Sequence, residues 1–302
     1  MGMGMQLRAL GLCLMAALPF TASAERTDPA RDPQAADQVP AQSVEPEAAS
    51  RIAALTELLQ VPAILDVMRQ EGNSYGTSLE DDMFPGEGGG PWSASVAMIY
   101  DVERTKAQFD LAFAAALKDD PGAVAAGVAF FGSDLGKRIV GLEVSTRRAM
   151  LEPAAEDAAA AAFSSLKRQA SPRILALERF AQANDLIESN VMGALNSSLA
   201  FYQGLFDGGG LDDGLTAQDM VAQVWDQETA MRSETTEWLY PYMAMAYQPL
   251  SDAEFADYIA FSETPVGKKL NAALFQAFEA VYTDVSRNLG LAVARQLQGE
   301  DI

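Results

Sequence analysis

Apolar residues recur along this chain at helical steps, and long stripes of them stand out in its second half. One stripe runs Leu177, Ala181, Ile187, Val191, Leu195, Leu199, Tyr202, Phe206, and another Val266, Leu270, Leu274, Phe278, Val281, Val285, Leu289. Steps of three to six keep such positions near one side of a helix with 3.6 residues per turn. No run of alternating β-branched residues and no Asn-Gly hairpin turn appears, so nothing predicts a strand. The expected fold class is all-α, as two related helical bundles produced by an internal duplication.

The predicted elements follow in order. Ser50 caps a helix beginning Arg51-Ile52, and Gly72 and Gly76 break the helix that comes next. Glycine clusters at Gly86 to Gly90 and at Gly208 to Gly210 read as loops. A middle helix is expected over Trp92 to Lys118, and its counterpart over Ala217 to Tyr247. Pro241 removes a backbone donor and should kink or split that counterpart near Glu237. A connecting helix over Ala154 to Gln169 then joins the halves, and Ser171-Pro172 opens the second copy. The organisation expected is a leader over 1–24, a disordered Pro- and acid-rich lead-in over 25–49, repeat 1 over 50–152, the connector over 153–171, and repeat 2 over 172–302.

The repeat is clearest at one corner. Val128-Ala129-Phe130-Phe131-Gly132-Ser133-Asp134-Leu135-Gly136-Lys137-Arg138-Ile139 aligns without a gap on Ile259-Ala260-Phe261-Ser262-Glu263-Thr264-Pro265-Val266-Gly267-Lys268-Lys269-Leu270, an offset of 131. Each copy reads as a short helix opening at Asp120 or Ser251, a tight corner, and a second helix opening at Ser133 or at Thr264-Pro265. Asp, Ser and Thr at those points accept from backbone N–H groups that have no helical partner. Gly136 and Gly267 sit in a first helical turn, where glycine costs about 1 kcal/mol relative to alanine. Close approach of another backbone would offset that cost. Earlier helices align at an offset of 122, so the second copy carries about nine extra residues before the corner.

Lys137-Arg138 and Lys268-Lys269 follow those glycines, and cations there oppose the helix dipole. Either they fan into water and pair with acids such as Glu263, or they form a small basic contact site for a partner.

Composition narrows the chemistry. Met1 to Ala24 has the layout of a secretory leader: Arg8, an apolar run from Ala9 to Phe20, and a small-residue site at Ala22-Ser23-Ala24. The run is too short to span a bilayer. It contains Cys13, the chain's one cysteine, and the chain has no histidine. An exported form without this segment therefore has no disulfide, thiolate nucleophile, Cys/His zinc site or histidine base. The chain holds 42 acids and 21 bases, net −21. That field repels nucleic acid and anionic lipid.

At the corner motif, Ala260-Phe261-Ser262-Glu263-Thr264-Pro265-Val266-Gly267-Lys268, preceded by Leu250-Ser251-Asp252-Ala253-Glu254, the chain resembles the exported all-helical proteins of domain-of-unknown-function family 2059. Ser262 departs from the usual aromatic, and the first copy has Asp134 in place of the proline. The resemblance implies a helical fold and a periplasmic address, and brings no catalytic residues with it.

Three functional expectations follow. The first is a non-enzymatic periplasmic protein that binds an envelope partner or supports the envelope, with Lys137, Arg138, Lys268 and Lys269 as contact residues. The second is a carrier of a small apolar ligand held near Trp225, Trp238 and Tyr242. The third is a hydrolase acting on cell-wall material, with Glu228 and Glu234 as its paired carboxylates. A calcium site at Asp207 and Asp212-Asp213 is disfavoured, because Gly209 and Leu211 stand where ligand oxygens are needed. No cofactor or metal is expected, and no nucleic-acid partner.

Overall fold

The computed structural model describes residues 44–211 and 216–299. The leader and residues 25–43 lie outside them, as do Asp212 and Asp213. The described residues form helices and no strand. In order they are α1 (Val44–Leu58), α2 (Val61–Met83), α3 (Gly89–Ile99), α4 (Val102–Leu117), α5 (Pro121–Phe131), α6 (Asp134–Ala149), α7 (Pro153–Arg168), α8 (Pro172–Ala183), α9 (Leu186–Asp207), α10 (Ala217–Trp225), α11 (Glu228–Ala246), α12 (Asp252–Glu263) and α13 (Pro265–Leu297).

The corner caps form as the sequence predicts. Asp120 accepts from the Ala123 N–H, Ser133 from Gly136, Ser251 from Glu254, and Thr264 from Gly267. Ser251 and Glu254 complete a reciprocal capping box. A Cβ on Gly136 would lie 2.1 Å from the Phe130 carbonyl oxygen, and one on Gly267 would lie 2.1 Å from that of Phe261. Both glycines therefore admit the end of the preceding helix into the corner.

Several elements differ from the sequence expectation. α1 runs through Ser50, so residues 44–49 are helical rather than part of a disordered lead-in. An i,i+4 pair from Arg51 to Glu47 (2.7 Å) supports that turn. α1 ends at Leu58, and Gln60, whose φ of 51° is left-handed, turns the chain into α2. α2 is unbroken across Gly72 and Gly76. These glycines are packing positions. A Cβ at Gly72 would strike the Tyr100 ring at 2.4 Å, and one at Gly76 would strike Val96 at 2.8 Å. The Trp92 indole N–H donates to the Gly76 carbonyl (2.8 Å), which ties α3 onto α2.

Each middle helix is two. α4 restarts after Tyr100, where Asp101 accepts from the Arg104 N–H (2.9 Å), and α11 restarts after Asp226-Gln227. α11 continues through Pro241.

The most extensive packing is α13 against α9, then α13 against α4. Two glycines permit the first. A Cβ on Gly204 would lie 2.1 Å from the Arg287 carbonyl oxygen, and one on Gly290 would lie 2.1 Å from that of Phe201. The packed pairs α1–α2, α1–α4, α1–α5, α2–α3, α2–α4, α2–α6 and α5–α6 recur as α8–α9, α8–α11, α8–α12, α9–α10, α9–α11, α9–α13 and α12–α13. Across the halves, α4–α13 is matched by α6–α11. One continuous hydrophobic core runs from Ile52 to Ala294 and draws on both halves. A smaller cluster around Val191, Leu195 and Val224 lies under α10.

Candidate functional site

The two corners meet face to face. Phe130 stacks on Phe261 with ring centroids 4.0 Å apart and planes 9° from parallel. These residues occupy the same place in the 131-residue frame. The basic residues behind them reach across the seam. Arg138 donates to Glu254 Oε1 (2.6 Å) and to the Pro249 carbonyl, at the start of α12. Lys269 lies 3.9 Å from Asp120, the cap of α5. Lys268 lowers the pKa of Glu263, behind the larger effect of a two-bond clamp from Arg179 (2.6 and 2.6 Å). Lys137 is exposed. Of the four expected contact residues, Arg138 and Lys269 are thus engaged within the chain.

The three aromatic residues expected at a ligand site do not share one environment. Trp238 stacks on Tyr242 with centroids 5.0 Å apart. Trp225 is 53% exposed at the end of α10, whereas Tyr242 is 1% exposed. The Tyr242 hydroxyl donates to the Glu143 carbonyl (2.9 Å). Glu228 and Glu234 do not face one cleft. Six helical positions turn about 240° around the axis. Glu228 accepts from Arg232 (2.6 Å), and Glu234 is exposed. Asp207 is paired with Arg287 (2.6 Å). Among the described residues no group of three or more acids, histidines or cysteines could hold a metal. No single described helix is long and apolar enough to cross a membrane.

Beside the seam lies a residue that the sequence analysis did not single out. Glu143 of α6 is 5% exposed. Its Oε1 accepts from the hydroxyls of Tyr247 (2.7 Å) and Tyr258 (3.1 Å), both from the second half. Its Oε2 is buried and meets no hydrogen-bond partner among the described residues. Burial pushes the carboxyl up to about 7, against the opposing pull of the two phenol hydrogen bonds. The same burial, with the carboxylate charge behind it, holds both phenols well above their ordinary range.

Glu143 lines a cleft of about 20 Å³, measured as the space open to the centre of a water molecule. One buried water needs roughly 10–15 Å³ on that measure. Phe131, Phe180 and Phe261 form apolar walls beside the two tyrosines, while Asn184, Ser262 and Asn271 add polar groups. The Asn271 amide donates to Asn184 Oδ1 (3.3 Å).

One turn along α6, Arg147 donates to both oxygens of Glu71 (3.2 and 2.7 Å) and to the Tyr282 hydroxyl (3.2 Å). A sequence signal for both charges existed. Glu143 and Arg147 fall on the apolar face carrying Ile139, Val140 and Val144. At the 131-residue offset their counterparts are Leu274 and Phe278, both buried. Compared with known proteins, the chain matches no family model, no curated protein and no solved structure.

Proposed function

We propose that this is an exported, non-enzymatic binding protein of the periplasm, built from two diverged copies of one helical unit, with its ligand site in the cleft at Glu143. The observation that carries the site is Glu143 itself, which lines that cleft and whose Oε2 is buried without a hydrogen-bond partner among the described residues. Leaving a buried acceptor unsatisfied costs about 1–3 kcal/mol, and more for a charged group, so a donor arriving there gains that much. The counterpart Leu274 supports the same reading. What the copies share serves capping and packing, and the polar exception stands beside the cleft.

The duplication is supported by the recurring helix pairs and by the stacking of Phe130 on its own counterpart, as in a two-fold interface where one patch meets itself. Export and the link to family 2059 rest on the leader-like start and the corner motif.

Native mass spectrometry and a thermal-shift screen of the purified protein, run beside Glu143→Gln, test the site. A small adduct or a stabilising compound that is lost in the variant supports it. Ligands that bind both forms equally, or no ligand at all, would reject it.

A second reading keeps a protein partner. Val221 and Trp225 are exposed one turn apart on α10, which packs on α9. Exposed tryptophan is a common anchor in protein interfaces. Trp225→Ala should then abolish capture of one defined envelope partner without lowering Tm. Unchanged capture would remove this reading.

A further inference from the structure

We propose that the seam cleft takes a small primary ammonium group, seated against Glu143 Oε2 and the faces of the surrounding rings. This rests on the reading of the cleft as a binding site and adds the ligand class.

The donor and acceptor inventory selects the chemistry. Glu143 Oε1 already accepts two phenol hydrogens, and the third phenol, Tyr242, is spent on the Glu143 carbonyl. When the carboxyl is ionised, the remaining oxygen is a bare acceptor, and a ligand that meets it must donate. Carboxylates and phosphates are excluded by like charge. A primary ammonium carries three donors, and the Ser262 hydroxyl and the Asn271 amide stand in the same lining as Glu143.

The walls favour a cation over a neutral donor. Phe131, Phe180, Tyr258 and Phe261 line the same cleft as Glu143, and ring faces attract cations. Nearby basic side chains are turned to other acids: Arg147 to Glu71, and Arg138 to Glu254. A buried carboxylate is stabilised by an opposite charge that reaches it. The room beside Glu143, about 20 Å³, suits a head group of one or two heavy atoms. The net charge of −21 also raises the local concentration of cations.

The test uses methylammonium chloride as probe, with sodium chloride matching ionic strength, at about pH 8, where Glu143 is ionised. Methylammonium at about ten times its Kd should raise Tm by roughly 3 °C in the native protein, and by nothing in Glu143→Gln. Tetramethylammonium should give no rise. Equal shifts in both proteins, or no shift in the native one, would overturn the proposal. A second measurement does not depend on the variant folding. Carbon-13-labelled methylammonium should show nuclear Overhauser contacts from its methyl group to aromatic ring protons, and their absence at saturating probe would overturn it too. Acetamide, a neutral donor of similar size, separates the two levels of the argument. If acetamide shifts the native protein and not the variant while methylammonium does neither, the ammonium assignment fails and the cleft remains a binding site.

Discussion

Glu143 links its protonation directly to folding. Its carboxyl sits at about 7 in the folded chain and near 4.5 when solvated. A raised carboxyl favours the folded state when protonated. That stability is complete below about pH 4.5 and is lost as pH rises through 7. A difference of this size corresponds to about 3 kcal/mol. The groups around it are Tyr242 of α11, Tyr247 just past the end of α11, Tyr258 of α12, and Arg147 on its own helix. Denaturant unfolding at pH 5 and pH 8 should therefore show the native protein weaker at pH 8. Glu143→Gln should remove most of that difference and exceed the native protein at pH 8. Glu254 and Glu263 shift the opposite way, but their titration lies below this window. Glycine gives a second residue-scale contrast. Gly136→Ala and Gly267→Ala should each cost more than about 2 kcal/mol, because the new methyl meets a carbonyl at 2.1 Å. Gly193→Ala, with nothing within 4 Å, should instead gain up to about 1 kcal/mol from helix propensity. Urea melts of the three variants would check both signs.

At the scale of helices, the seam rests on unequal contacts. Arg138 binds Glu254 at 2.6 Å and a backbone carbonyl besides, whereas Lys269 reaches Asp120 only at 3.9 Å. Both pairs are partly exposed, so Arg138→Ala should cost about 1 kcal/mol and Lys269→Ala less than about 0.5 kcal/mol. A double-mutant cycle with Glu254→Ala would measure the first. Helix existence was legible from the stripes and caps, because capping is local: Asp120, Ser133, Ser251 and Thr264 each bond within three residues. The continuity of α2 was not legible. Gly72 and Gly76 look like breakers until Tyr100 and Val96 are seen lying over them. The same limit hid the site. Tyr247 and Tyr258 lie 104 and 115 residues from Glu143, and no local pattern joins them. What could have been seen is a glutamate on an apolar face whose counterpart is a leucine.

Across the whole molecule, one core draws side chains from both halves. Two independent bundles would melt separately. A shared core should give one cooperative transition, coincident by circular dichroism and tryptophan fluorescence. Trp92 reports on the first half, and Trp238 and Trp225 on the second. Two separated transitions would show that the seam contributes little.

The stack of Phe130 on Phe261 has an evolutionary corollary. Where a surface meets its own image across a symmetry axis, every substitution is made in duplicate, and a new carboxylate near the axis arrives with its twin. Under the duplication proposed above, joining two copies in one polypeptide would lift that restriction. One side could then hold a lone acid at Glu143 opposite Leu274, an asymmetric polar pocket in one chain that a symmetric pair would have had to build twice.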